Sequence, residues 1–247
     1  MTVNASEYLY DKQLNCPVCM KFFQTKKVRS SKIRILSHDT DFCSHYLDND
    51  CNPLFYYVNV CPSCGYAYSD HSQLTLTSAA KAAIHNHISS KWNGSDYGII
   101  RSKLQAIQAY KLGILSASLS NELHIIKAGM FLRLAWLYRT LFDNGAEEEK
   151  RFMSAALQEY IQSYMNLDFE TAGYSETRLL YLIGELSRRT GNKQQATIYF
   201  SRIIQNQSSI KEKRLILMAK ERWQDVRNGL IGGEALTSAE DSVDIHR

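Results

Sequence analysis

The sequence predicts an α+β protein, in which a small β module comes first and a domain of helical hairpins follows. All six cysteines and all three prolines lie before residue 65. Beyond residue 77, apolar side chains recur at steps of three and four residues, which is the period of an amphipathic helix. A composition change of this kind marks a domain boundary, which we place near residue 75. The 45% apolar content is enough for a buried core.

Two runs in the predicted module, residues 1–75, have residues that are typical of β-strands. Val28 to Leu36 carries several β-forming residues, and Leu54 to Val60 is an aromatic and β-branched run. Such runs predict a few short antiparallel strands.

The second domain, residues 76–228, is predicted to contain seven helices with short connections. Breaks at Asn144-Gly145 and Gly191-Asn192 separate some of them. We place the helices at residues 77–91, 97–119, 122–143, 147–166, 174–190, 193–206 and 210–228. Residues 229–247 have three glycines, four acidic groups and no apolar period, so we expect a disordered tail.

One helical hairpin carries a more specific pattern. Within Thr177 to Gln207, Gly184 in the first helix is followed by Ala196 and Phe200 in the second. A small residue in the first helix lets the second pack closely, and the alanine and the aromatic ring fill the gap. The pattern resembles one tetratricopeptide repeat. The alternative is a generic helical bundle.

Four of the cysteines form two pairs of the same Cys-Pro-x-Cys form. A Cys-x-x-Cys turn offers two thiolates, and Zn²⁺ prefers four ligands in a tetrahedron. We therefore predict that Cys16, Cys19, Cys61 and Cys64 hold one structural Zn²⁺ in a zinc-ribbon-like module. Gly65, which follows the second pair, suits a backbone position with positive φ. Four thiolates leave no open position for a catalytic water.

The other two cysteines, Cys43 and Cys51, lie in the 41-residue segment between the pairs. Free cysteines are often small buried hydrophobes, so we predict that neither takes part in the metal site. Three alternatives stay open. One cysteine could replace a ligand, or a second site could use Cys43 with His45, Asp39 or Asp41. A reactive Cys43 beside Asp41 and His45 could also serve a thiol-based or metal-dependent enzyme.

The segment from Lys21 to Arg34 contains six basic residues and no acid. We interpret it as a strand pair with balanced charge, because the residues before position 75 include seven basic and seven acidic groups. The alternative is a nucleic-acid-binding zinc ribbon, with Tyr56 or Tyr57 stacking on bases. Its basic contacts would come from Lys26, Lys27, Arg29, Lys32 and Arg34.

One face of the predicted helix 174–190 is a candidate partner surface. Arg178, Tyr181, Glu185 and Arg188 follow each other at steps of three and four, on a different face from Leu180. In tetratricopeptide repeats this face of the first helix lines a concave groove. The resemblance therefore implies that these four residues bind a peptide, for which the alternative is a solvated helix face.

Longer motifs connect the chain to a known family. They include Asp39-Thr-Asp-Phe-Cys43, Asn52-Pro-Leu-Phe-Tyr56, Val60 to Ala67 and Leu132 to Arg139. With the two cysteine pairs, they resemble the bacterial family catalogued as domain of unknown function 2225, over about residues 10–207. The resemblance implies this architecture and a bacterial cytoplasmic setting, without a reaction. Cys51 departs from the family pattern.

These features predict a non-enzymatic protein-interaction or adaptor module with a protein or peptide partner. Met1 to Glu7 lack the basic start and the apolar stretch of a secretory signal, so we expect a cytoplasmic protein. Charged and polar residues interrupt the apolar region Leu112 to Phe142, so no membrane span is expected.

Overall fold

The structure is a computed structural model that describes residues 5–47, 52–230 and 235–236. Its strands are β1 (Leu9–Asn15), β2 (Phe22–Val28), β3 (Ile35–Asp39), β4 (Ser44–Tyr46), β5 (Val58–Val60), β6 (Ala67–Ser69) and β7 (Ala235–Leu236). Its helices are α1 (Ala5–Tyr8), α2 (Ser78–His87), α3 (Lys103–Leu119), α4 (His124–Leu141), α5 (Ala146–Asn166), α6 (Asp168–Thr171), α7 (Glu176–Arg189), α8 (Lys193–Gln205) and α9 (Lys213–Arg227). The predicted α+β class is confirmed.

All strand pairs among the described residues are antiparallel. β1 pairs with β2, and β5 pairs with β6, each as a two-stranded hairpin. β3 pairs with both β4 and β7, so Ala235 and Leu236 of the predicted tail lie in a strand. The rest of that tail beyond Leu230 lies outside the described residues.

The chain divides into two compact units, and the predicted boundary near residue 75 lies inside the first. The first unit is formed by residues 1–33 and 48–159. The second is formed by residues 34–47 and 160–247, so it contains the β3–β4 hairpin as well as α7, α8 and α9.

In the first unit, α3 packs against the β5–β6 hairpin. A Cβ atom added at Gly113 would lie 3.0 Å from Cγ1 of Val58, so a glycine permits this close approach. The hydroxyl of Tyr110 donates to the carbonyl of Leu54 over 3.0 Å. The buried guanidinium of Arg101 donates to the carbonyls of Phe55 and Val58 over 2.9 Å and 2.7 Å. Helix and hairpin therefore share a core and a set of buried hydrogen bonds.

In the second unit, α7 and α8 pack as the glycine pattern predicts. A Cβ atom added at Gly184 would lie 2.7 Å from Cε1 of Phe200, which is closer than a real contact allows. Ala196 and Phe200 are both fully buried. The two helices therefore come close together at Gly184, and the aromatic ring of Phe200 occupies the space.

Some helices and strands begin at other residues than predicted, because side-chain hydrogen bonds to the backbone cap a helix or turn at those points. The predicted helix 97–119 begins only at Lys103, because Ser102 and Gln105 form a reciprocal capping box at that point. The run from Leu54 to Val60 begins as a 3-10 turn, Pro53–Tyr56, capped by the Asn52 side chain. Between Val28 and Leu36, Ser30–Lys32 forms another 3-10 turn that separates β2 from β3.

Candidate metal centre

Each Cys-x-x-Cys pair lies at the tip of an antiparallel hairpin. Cys16 directly follows β1, and β2 begins three residues after Cys19. Cys61 directly follows β5, and β6 begins three residues after Cys64. The two turns therefore occupy equivalent places in their hairpins.

The two turns also have the same backbone hydrogen bonds. Cys16 donates its amide to Lys21 and accepts from the amide of Met20, over 3.0 Å and 2.9 Å. Cys61 makes the equivalent bonds with Tyr66 and Gly65, both over 2.9 Å.

The fourth residue after the first cysteine of each turn has positive φ. Met20 has a φ of 60° and Gly65 has a φ of 74°. The prediction for Gly65 is confirmed, whereas a methionine in this conformation gives no signal in the sequence.

Backbone groups surround the sulfurs in the same way in both turns. Val18 and Cys19 hydrogen-bond the sulfur of Cys16 through their backbone. Ser63 and Cys64 do the same for Cys61. Amide donors of this kind orient thiolate ligands and stabilise their negative charge.

The four sulfurs have the spacing of a tetrahedral thiolate site. All four lie within 4.8 Å of one another. The Sγ atoms of Cys16 and Cys64 are 3.6 Å apart, and those of Cys19 and Cys61 are 3.7 Å apart. Metal–sulfur bonds of about 2.3 Å in a tetrahedron require sulfurs about 3.8 Å apart. The four cysteines could therefore bind a metal ion, and all five cysteines in the described ranges are free of disulfides.

Hydrogen bonds between the sulfurs control the protonation of the cluster. The bonds from Cys16 and Cys64 lower the pKa of Cys61 to about 2. Hydrogen bonding to Cys61 raises the pKa of Cys16 to about 12, and hydrogen bonding to Cys16 raises the pKa of Cys64. One thiolate is thus stabilised by protonated neighbours. Ionising all four thiols needs a nearby positive charge, which a divalent cation would supply.

Aromatic and aliphatic side chains enclose the centre within the first unit. Cys16, Cys61 and Cys64 belong to one buried cluster with Phe23, Tyr66, Tyr68, Ile84 and Ile88. The indole of Trp92 donates to the carbonyl of Pro62 over 2.8 Å and therefore covers the second turn. The sequence gives no sign of this role for Trp92, because it lies 28 residues after Cys64.

The basic segment Lys21 to Arg34 is partly neutralised by acidic side chains. Lys26 pairs with Asp11 at 2.7 Å, and Lys27 pairs with Asp70 at 3.1 Å. Tyr56 is 1% exposed, so the hypothesis that it stacks on bases is wrong. Tyr57 packs under the guanidinium of Arg133, 4.2 Å from its ring centroid.

The predicted partner face of α7 is not exposed. Tyr181 and Glu185 are fully buried and Arg188 is 2% exposed, whereas Arg178 is half-buried. The segment between β3 and β4, in the same unit, packs on this face. Tyr181, Glu185 and Arg188 are therefore not accessible to the peptide that the repeat pattern predicted for this face, because the β3–β4 hairpin covers them.

Cys43 also lies in this hairpin. Its thiol, the Asp39 carboxylate and the His45 imidazole have ligand atoms within 4.8 Å of one another. The structure therefore brings Cys43 together with two of the residues considered for a second site. Cys51 lies outside the described residues.

Comparison with known proteins identifies the family. Residues 9–226 match the family model described as "Uncharacterized protein conserved in bacteria (DUF2225)". The chain belongs to this family. No curated protein and no solved structure matches the chain. Among the described helices of this DUF2225 member, none has the length and apolar character needed to cross a bilayer.

Gly65, next to the four-cysteine centre, allows a test of how closely Trp92 packs on the second cysteine turn. A Cβ atom at Gly65 would lie 2.6 Å from Cε3 of Trp92, whereas one at Gly94, also at positive φ, would meet nothing within 4 Å. Both Gly→Ala changes strain the backbone, but only Gly65→Ala displaces Trp92. Gly65→Ala is expected to lower the unfolding free energy by about 1–3 kcal/mol more than Gly94→Ala, measured by denaturant titration. Equal losses would contradict the close packing of Trp92.

Proposed function

We propose that this DUF2225 protein is a zinc-stabilised, non-enzymatic protein-interaction module of the bacterial cytoplasm. The four-sulfur centre is the observation that carries the proposal. Four thiolates complete the tetrahedral shell of Zn²⁺ and leave no position for water or substrate, so the metal has a structural role. The two hairpins that end in equivalent turns support a zinc-ribbon-like module.

Zn²⁺ fits this donor set better than the other common divalent cations. Mg²⁺, Ca²⁺ and Mn²⁺ prefer oxygen ligands, and thiolates favour zinc, copper(I) or iron–sulfur chemistry. Tetrahedral spacing of single sulfurs suits a mononuclear ion. A bound Zn²⁺ would hold the β1–β2 and β5–β6 hairpins together.

The first turn supplies a candidate contact surface for a protein partner. Phe22 is 82% exposed and Met20 is 63% exposed, on either side of the exposed Lys21. Phenylalanine and methionine are enriched in protein interfaces, and a metal-fixed turn would present them with little loss of conformational entropy. The partner that fits this surface is a protein with an apolar pocket.

The helical part is consistent with an adaptor role. The close approach of Gly184 and Phe200 supports a tetratricopeptide-like unit formed by α7 and α8. Its α7 face is covered by the β3–β4 hairpin, so the partner binds at the first cysteine turn instead.

Phe22→Ser tests this surface. The variant is expected to lose the protein that wild-type bait retains from a lysate of the native bacterium, because its main apolar contact is gone. Leu217→Ser is the matched control, since Leu217 is 58% exposed on α9. An unchanged set of retained proteins in Phe22→Ser, with unchanged melting, would contradict the proposal. Salt-dependent retention of RNA or DNA would favour the nucleic-acid alternative instead.

A further inference from the structure

The β3–β4 hairpin of the second unit brings together three side chains of the types that can bind metal ions, none of which belongs to the four-cysteine centre. Asp39 ends β3, Cys43 directly precedes β4, and His45 lies within β4. Their ligand atoms all lie within 4.8 Å of one another. Within this group, Nε2 of His45 lies 2.9 Å from Oδ1 of Asp39.

Strand register explains why these three side chains share one face. Cys43 and His45 are two residues apart along an extended segment, so they point to the same side. The amide of Asp39 donates to the carbonyl of Cys43 over 2.8 Å, which makes the two residues cross-strand neighbours. His38 and Ser44 pair with each other, Nδ1 to Oγ, over 3.0 Å, one residue out of phase with the other three.

Helix α7 fixes the turn that carries these residues. The hydroxyl of Tyr181 donates to the carbonyl of Thr40 over 2.8 Å, and the Thr40 hydroxyl donates to Glu185. Arg189 donates to the Thr40 hydroxyl over 2.8 Å. The ring of Phe42 lies 5.4 Å from that of Tyr181.

Three successive residues of the turn are therefore tied to α7, because Asp41 also pairs with Arg189 at 3.6 Å. These contacts fix residues 40–42, so Asp39 and Cys43, which flank them, have defined positions before any ion binds. Rigid support of this kind is what a metal site requires.

We propose that Asp39, Cys43 and His45 bind a second Zn²⁺, with a water molecule as the fourth ligand. Carboxylate, thiolate and imidazole are the three side-chain types that Zn²⁺ takes in proteins, and oxygen-preferring ions would not select a thiolate. Three protein ligands leave one position open. The His45 side chain is 36% exposed, so solvent reaches the cluster from that side.

The same three residue types could also form a nucleophilic cysteine with a histidine base and an orienting aspartate. The burial of the Cys43 sulfur disfavours this alternative. Cys43 is 0% exposed, so a substrate cannot reach its sulfur in this conformation.

The test is a zinc count on the 247-residue protein. After purification without chelators, wild-type protein is expected to carry about two Zn²⁺ per chain. Cys43→Ala and His45→Gln are each expected to carry about one, because two remaining ligands hold zinc weakly. His38→Gln, a histidine change on the other face of the same hairpin, should retain both ions. Circular dichroism melting confirms that each variant is folded.

A second measurement identifies the ligands. Co²⁺ added to protein that keeps Zn²⁺ in the four-cysteine centre, after the second zinc has been removed with a chelator, should produce a thiolate-to-cobalt absorption band that Cys43→Ala abolishes and His38→Gln retains. About one zinc in folded wild-type protein and no such cobalt band would overturn the proposal. Those results would leave the four-cysteine centre intact, so the two sites are tested separately.

Discussion

Replacing Cys16 with serine is expected to release the metal from the four-cysteine centre and to unfold the two hairpins that meet there. Zinc binding by small domains is worth about 10–16 kcal/mol near neutral pH, because folding and binding occur together. The β1–β2 and β5–β6 hairpins contribute strands of only seven and three residues, so their own packing cannot replace that energy. Cys61→Ser should have the same effect, since the two turns are equivalent.

Elemental analysis and proteolysis measure this outcome. The serine variants should lose one zinc and become susceptible to cleavage within residues 9–28 and 58–69, the ranges that the two hairpins span. Ser63→Ala is the matched control, because Ser63 lies between Cys61 and Cys64 with an exposed side chain. Full zinc content in folded Cys16→Ser protein would show that Cys16 is not a metal ligand and would contradict the four-cysteine centre.

The four-cysteine centre could be predicted from the sequence because its chemistry is local and repeated. Each pair forms one tight turn, and a tetrahedral ion requires two such turns whatever the chain does between them. The helix positions could be predicted as well, since apolar period and capping residues act within one element. The start of α3 was nevertheless predicted too early. The capping box of Ser102 and Gln105 sets that start, and the apolar period does not reveal it.

The covering of α7 could not be predicted, because a helix face rich in charged residues looks the same whether water or a partner segment covers it. Glu185 and Arg188 have the spacing of a solvated ion pair, and yet both are buried. Residues 35–46 pack with a helix about 140 positions later in the chain, as the Tyr181–Thr40 hydrogen bond shows. Local patterns contain no information about that pairing. The second candidate site lies within one short segment, so the sequence could offer its residues as an alternative, but only the strand register shows which of them come together.

Glu185→Gln is expected to destabilise the second unit by about 3–5 kcal/mol. The Glu185 carboxylate accepts from Arg188 over 2.8 Å and from Arg189 over 2.7 Å, and all three side chains are at most 6% exposed. The glutamine has nearly the same shape but no charge, so both guanidinium groups lose their shared counter-ion. Arg189 retains Asp41 at 3.6 Å, which limits the loss on that side.

Denaturant titration of the variant and of Glu176→Gln measures this effect. Glu176 is exposed at the first turn of the same helix, so its change should stay within about 0.5 kcal/mol. A double variant, Glu185→Leu with Arg188→Met, should recover part of the loss, because an apolar pair of similar size removes one unpaired charge. If Glu185→Gln were as stable as Glu176→Gln, the buried ion pairs would not hold the β3–β4 hairpin on α7.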